Sequence, residues 1–241
     1  MGVLDRASRL VDVLAEHGPM TAADLADETG TPRPSVYRLA DALHQAGLTT
    51  LLPDSRIQAG RRWMRLADAA RAAMSEWAHA RQLLDALSED TGQTVFLSVL
   101  RDDEVICIDW AQGRAVSVLL LKPGRRLPLY AGAAGRAALA HLEDPEAYLE
   151  SAPFPALTAR TLTTARQLRA DIKRTRSQGY VHSDEDVTDG IGALGMAVLD
   201  RRKRLRGLVS LAGLAGDITA DRDGLGRRLE GCTAALSAGL G

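Results

Sequence analysis

The sequence is poor in the residues and patterns that build disulfide frameworks, metal clusters and membrane spans. It holds two cysteines in 241 residues, Cys107 and Cys232. They form no metal-binding spacing, and the simplest expectation is a pair of reduced thiols in a cytoplasmic protein. No apolar run reaches the roughly eighteen residues of a membrane-spanning helix, so no membrane partner is expected. The first ten residues, MGVLDRASRL, lack the basic-then-apolar order of an export signal. Excess positive charge is missing too: thirty Lys and Arg against thirty-one Asp and Glu give a net charge of −1. Catalytic and cofactor motifs are equally scarce. Gly132-Ala-Ala-Gly135 lacks the Lys-Ser/Thr that completes a nucleotide-binding loop. No motif sets a base beside either cysteine, and neither His141 nor His182 has ligand partners near it in the sequence. No cofactor, no metal and no enzymatic activity are expected.

What is present suits two ordinary domains: 46% hydrophobic and 25% charged residues can bury a core and stay in solution. Three helical patterns come first. Leu4, Ala7, Val11 and Leu14 recur at helical spacing until Gly18-Pro19. Thr21 opens a second helix, with Asp24 in the place of the usual Glu or Gln of a capping box, and Gly30 ends it. A third starts near Thr31-Pro32, where proline is tolerated because first-turn N–H groups have no helical partner. Val36, Leu39, Ala40 and Leu43 form its apolar stripe. Arg33, Ser35, Tyr37 and Arg38 share the other face, near the end that enters the major groove in helix-turn-helix proteins. Leu48–Leu52, a turn at Pro53-Asp54-Ser55, and Arg56-Ile57-Gln58 read as a hairpin, or wing, with Arg56 beside the backbone or the minor groove of a bound duplex. The chain is locally basic here, with five arginines and one acid, Asp68, between Arg56 and Arg71. Such a stripe carries phosphate contacts even when the total charge is neutral. The same elements also describe a small helical domain with an ordinary solvated face.

From Arg62 to Ala80 the pattern reads as one long helix. Trp63, Leu66, Ala70, Ala73 and Trp77 step by 3, 4, 3 and 4, a heptad seam for a second copy of the chain or for packing within one chain. Further on, strands are expected at Thr94–Leu100, Val105–Trp110, Val116–Leu121, Ile191–Leu199 and Leu205–Gly213. Helices are expected at Ala133–His141, Ala165–Gln178 and from about Ile218. Strands early, helices in the middle and strands late describe an α+β class, an antiparallel sheet with helices on its faces. The basic run Arg201–Arg206 falls in a predicted hairpin turn and reads as a solvated loop.

Residues 4–60 resemble the N-terminal domain of the IclR family of bacterial regulators, through Thr21-Ala-Ala-Asp-Leu-Ala-Asp-Glu-Thr-Gly-Thr-Pro-Arg-Pro-Ser-Val-Tyr-Arg-Leu39. Leu127-Pro-Leu-Tyr-Ala-Gly-Ala-Ala-Gly-Arg-Ala-Ala-Leu-Ala140 is similar to that family's C-terminal signature. So are Ala159-Arg-Thr-Leu-Thr-Thr164, Gln178-Gly-Tyr180, and Asp184-Glu-Asp186 with Gly190-Ile191. The resemblance implies a winged helix-turn-helix over 1–60, a linker and dimerisation helix over 61–80, and a GAF-like effector-binding domain over 81–241. It implies double-stranded operator DNA as partner, contacted by Thr21, Arg33, Ser35, Tyr37, Arg38, Arg56 and Arg61. It also implies a homodimer built on the tryptophan-flanked seam, with tetramers on DNA. By position, the effector pocket would be lined by Val116, Leu119, Leu127, Ala133, Ala134, Ser183, Ile191, Ala193, Ser210 and Ala212, each of which also fits plain core packing. Mostly apolar, such a pocket suits a small organic acid, aromatic ones included, whose anion rests on the amides of Ala133–Gly135. The sequence departs from the family at Pro34 (often Ser), Arg136 (usually Lys), Ser183 (Asp in some members), Ala193 (Cys in many) and Ala197 (frequently Pro).

Three functions stay open at this point. The first is an effector-controlled DNA-binding regulator, most simply a repressor. The second is an enzyme processing a small acid in the same pocket. The third is a protein-interaction module that never touches DNA. Arg33, Tyr37 and Arg38 on one helical face favour the first over the third.

Overall fold

The computed structural model describes residues 2–114 and 123–240, apart from the side chains of Arg71 and Ala73. The expected strand Val116–Leu121 lies outside the described residues. The chain divides into two compact units, Met1–Ser75 and Glu76–Gly241. Among the described residues no helix is long and apolar enough to cross a membrane.

The first unit runs α1 (Val3–His17), α2 (Ala22–Thr29), α3 (Arg33–Gln45), β1 (Thr49–Leu51), β2 (Ile57–Ala59) and α4 (Arg62–Ala73). Leu10, Leu14, Leu25, Val36 and Ile57 make its core. Leu4 of the expected α1 stripe instead points outward, 84% exposed. The α2 cap forms as the sequence predicts. Asp24 N–H donates to Thr21 Oγ1 at 3.2 Å, and Thr21 N–H donates back to Asp24 Oδ2 at 3.3 Å. Gly30, at φ +63°, supplies the left-handed stop. β1 and β2 pair antiparallel, and Met20 bridges to Ile57, so the hairpin is sewn to the segment ahead of α2.

One long helix through residue 80 is not what forms. α4 ends at Ala73, a single 3-10 turn follows at Ser75–Trp77, and α5 begins at Ala80. The reason lies in Trp77, which is 7% exposed. Its indole lies against Gly207, where even a Cβ would come within 2.8 Å of the ring. Burying a large apolar side chain is worth about 3 kcal/mol, more than the roughly 1 kcal/mol of a helical hydrogen bond given up at the break.

The second unit contains α5 (Ala80–Thr91), β3 (Thr94–Arg101), β4 (Glu104–Ala111), β5 (Arg126–Pro128), α6 (Gly132–Ala140), α7 (Pro145–Leu149), α8 (Ala165–Gln178), β6 (Val181–Asp184), β7 (Ile191–Leu199), β8 (Leu205–Leu214), α9 (Ala215–Ala220) and α10 (Arg222–Gly239). Its described strands form one antiparallel sheet in the order β5-β4-β3-β8-β7-β6. α5 and α10 cover one face, while α6, with α8 behind it, covers the other. Two glycines let α6 sit directly on backbone. A Cβ at Gly195 would meet Ala133 O at 2.5 Å, and one at Gly135 would meet Pro128 O at 2.3 Å.

Candidate functional site

On the first unit, α3 presents its first two turns to solvent. Arg33 and Arg38 are exposed, and Tyr37 is 64% exposed, unusual for a large aromatic ring with no partner to cover it. Arg38 Nη2 donates to Ser35 Oγ at 3.4 Å, a weak tether one turn apart. Arg33 and Arg61 form no ion pair with another described residue. Thr21 is different. Its hydroxyl donates to Asp24 Oδ2 at 2.7 Å and accepts from the Asp24 amide, so it is committed to the helix cap and has no proton left for a phosphate. Arg56 is also engaged: its Nε lies 2.8 Å from Asp54 Oδ2. The Arg56 amide and then its guanidinium hold the Asp54 carboxyl below the usual range. Arg62, in the basic stripe, donates to Ala46 O at 2.6 Å and fastens α4 to the end of α3.

The heptad seam divides between the units. Trp63 Nε1 donates to Leu48 O at 2.8 Å, within the winged unit, and Trp77 is buried in the C-terminal unit. Trp77 is thus covered within its own unit, while Trp63 stays half-buried with only its N–H engaged. Leu66 is 40% exposed and Ala70 is exposed. Met64, which the heptad pattern passed over, is 72% exposed. The Ala73 side chain lies outside the described residues.

On the second unit a cavity of about 340 Å³ opens between the start of α6 and the sheet. Leu127, Ala133, Ala134, Ser183, Ile191, Ala193, Ser210 and Ala212 all line it. Val116 and Leu119 lie outside the described residues. Register explains the convergence. Ser183 pairs with Ala193 and Ala193 with Ala212, while Ser210 stands opposite Phe96. Small side chains on neighbouring strands leave the space that larger ones would fill. Phe96 forms one wall and stacks on Trp110 with ring centroids 6.2 Å apart. Sequence reasoning missed Phe96, Arg125, Arg126, Leu157, Val187 and Thr188. The two arginines sit next to Leu127, so the flanks of a chosen pocket residue held the signal.

Polar groups in the cavity are few. Ser210 Oγ has no hydrogen-bond partner among the described residues. Ser183 Oγ–H donates to Asp186 Oδ1. Asp186 Oδ2 accepts from Gly132 N–H at 3.1 Å and lies 3.1 Å from Arg136 Nε. Arg136 also lies 3.0 Å from Asp171 and donates to His182 O at 2.7 Å. Arg136 and both carboxylates are buried. The start of α6 therefore already faces a carboxylate from the protein itself, which takes the Gly132 amide, one residue ahead of the Ala133–Gly135 amides expected to hold an anion. Cys107, behind Phe96, is pushed up to about 12 by burial, the neighbouring Asp109 adding to it, which makes it an inert thiol. Among the described residues no cluster of His, Cys, Asp and Glu could hold a metal ion.

A helix-turn-helix with an exposed Arg-Tyr-Arg face, joined to a sheet unit with a ligand-sized cavity, defines a two-domain transcriptional regulator. The family is shown by two matches. Residues 3–52 match the IclR helix-turn-helix domain, and residues 73–238 match the bacterial transcriptional regulator IclR C-terminal domain. The chain belongs to the IclR family of transcriptional regulators, whose named members are regulators and not enzymes. It is 28% identical to the transcriptional repressor IclR of Escherichia coli, over 91% of this chain and 82% of that one. It is 32% identical to the regulator Rv1719 of Mycobacterium tuberculosis, over 80% and 75%. Among solved structures, an IclR homologue from Microbacterium hydrocarbonoxydans complexed with 4-hydroxybenzoate has the same fold. That match has TM-score 0.82 and 19% identity and covers 99% of each chain.

Proposed function

We propose that this regulator represses transcription by binding operator DNA as a homodimer, and that a small, mostly apolar acid in the 340 Å³ cavity controls it. Arg33, Ser35, Tyr37 and Arg38 read or clamp the duplex, with Arg61 reaching the backbone and Arg56 able to do so only by exchanging Asp54 for a phosphate. Leu66 and Ala70, with Met64, meet the second copy. The acid lies against Phe96, Ile191 and Leu127. Ser210 contributes its free hydroxyl, and the carboxylate turns toward Arg125 and Arg126 at the rim.

The observation that carries this reading is convergence. Eight residues picked from five separate stretches of sequence line one cavity, whose size falls within the range of about 300–1,000 Å³ for small-molecule sites. The 4-hydroxybenzoate held by the Microbacterium homologue makes a phenolic acid the first compound to try. The test is fluorescence anisotropy with DNA from upstream of the protein's own gene, with and without a panel of aromatic and aliphatic acids. Specific binding that an acid weakens in wild type, but not in Ala134→Asp, is expected. Binding to that DNA no tighter than to a scrambled duplex refutes the DNA half. A cavity that takes only cations or large sugars refutes the effector half.

A further inference from the structure

A second cavity, of about 510 Å³, lies on the far side of β6 from the first. Strand alternation separates the two. Ser183 lines the apolar cavity, while its neighbours His182 and Asp184 line the second one. Arg136, Arg160, Arg174 and Arg222 complete the charged wall, with Asp186 at the partition. Each of these four arginines already has a carboxylate beside it, from Asp171, Asp184, Glu185, Asp186 or Asp223, so an anion enters here by exchange and not by filling an unpaired positive charge. The buried His182 Nε2 has no hydrogen-bond partner, and neither does the Nε–H of the buried Arg136, although Asp186 lies beside it. Burial, opposed by Asp184 and assisted by Arg222 and Arg136, holds the His182 imidazole below its ordinary range.

We propose that this second cavity is a binding site for a compact oxyanion, phosphate or the phosphoryl group of a metabolite. Arg174 is fixed by the buried Asp171 at 2.6 Å, but Arg160 and Arg222 are held by surface pairs, Arg160 by Asp184 and Glu185, Arg222 by Asp223 at 3.6 Å. Such pairs are weak and exchange readily for a doubly charged ligand. Arg136 draws the anion inward, and His182 Nε2 adds a donor in the tautomer that carries the proton there.

Occupation has a consequence for the first cavity. Asp186 holds Arg136 on one side and Ser183 and Gly132, both in the apolar cavity, on the other. An oxyanion that competes for Arg136 loosens Asp186 and alters the apolar cavity. Linkage then requires that the acid alter oxyanion affinity by the same factor. This coupling rests on the effector cavity proposed above, whereas oxyanion binding does not, so the two fail separately.

The test is calorimetric titration of the full chain with inorganic phosphate and, in parallel, with glycerol 3-phosphate, at ionic strength matched with sodium chloride. The Arg160→Ala/Arg222→Ala variant is the control, its fold checked by circular dichroism. Saturable binding in wild type that weakens about tenfold in the variant is expected, and the tighter of the two ligands tells the free ion from the ester. A response equal in wild type and variant, or none in either, overturns the site. With the site occupied, a shift of at least about fivefold in acid affinity is expected. An unchanged acid affinity overturns the coupling.

Discussion

Replacing Asp186 with alanine is the sharpest probe of how the apolar cavity is held open. Asp186 is 2% exposed, and its carboxylate serves three groups: Arg136 at 3.1 Å, Gly132 N–H at 3.1 Å and the Ser183 hydroxyl. Breaking a buried ion pair by removing one partner costs about 3–5 kcal/mol, because the remaining charge is left uncompensated. Arg136 is not left alone, since Asp171 stays at 3.0 Å and His182 O at 2.7 Å. The loss therefore falls at the low end, about 3 kcal/mol. For a unit of this size that is a fall in Tm of about 6–12 °C. Asp186→Asn keeps one carbonyl oxygen to accept from Gly132 N–H and turns its NH2 toward the Ser183 hydroxyl, which can accept instead of donating, so it should cost about half as much. The assay is urea unfolding followed by tryptophan emission in a Trp63→Phe background. The remaining tryptophans, Trp77 and Trp110, both belong to the C-terminal unit, so the signal reports that unit alone. An alanine variant within about 0.5 kcal/mol of its parent, a typical surface-substitution effect, would refute the reasoning. So would an asparagine variant less stable than the alanine one.

Arg38→Ala should weaken specific DNA binding by about 1–3 kcal/mol, read by gel shift, while circular dichroism and oligomeric state stay unchanged. Leu66→Glu with Ala70→Glu should shift the protein toward monomer in sedimentation; an unaltered dimer means that this face of α4 is not where two copies meet. Gly195→Ala should lower the Tm of the C-terminal unit, because its Cβ would meet Ala133 O, a backbone atom, at 2.5 Å. Equal Tm values in a thermal melt would show that α6 is free to lift. Asp200 accepts the Arg204 and Arg202 amides at 3.0 and 2.9 Å and the Arg204 guanidinium at 2.7 Å. The Arg204 amide first, then its guanidinium and the Arg202 amide, hold its carboxyl below the usual range. Its stabilising effect is therefore present above the ordinary Asp value of about 3.9 and is lost as pH falls from there through the lowered folded value. Asp200→Asn should flatten that acid limb in urea midpoints taken between pH 3 and 5; an unchanged limb removes Asp200 as its source.

The parts of the fold that were legible in the sequence are those set by local chemistry. The Thr21 cap, the Gly30 stop and the period of β7 and β8 each depend on residues close together in the chain. Pocket residues on β7 and β8 came from the family resemblance, and their spacing, Ile191 with Ala193 and Ser210 with Ala212, is the one that strand alternation puts on a single face. The break after Ala73 was not legible. Trp77 satisfies the heptad spacing, and only its burial against Gly207, 130 positions away, decides otherwise. Asp186 stands in the family-like stretch Asp184-Glu-Asp186, yet its approach to Gly132 depends on how β6 and α6 meet. β5 is three residues long, too short for a period-2 pattern to show.

The interruption after α4 has a mechanical meaning. Two hydrogen bonds, from Trp63 to Leu48 O and from Arg62 to Ala46 O, weld the start of α4 to the base of the wing and the end of α3. The twelve residues of α4 thus form a stiff arm about 18 Å long rather than a flexible tether. Tilting that arm by about 10° about its welded end sweeps its free end through about 3 Å, and the reading face of α3 turns with it, since no joint lies between them. Past the arm, Glu76 pairs with Arg206 and Trp77 packs against Gly207, so from there on the chain is held by the C-terminal unit. A ligand-driven change of the kind proposed above reaches the arm, and the face of α3 fixed to it, along the short stretch of chain between Ala73 and Glu76.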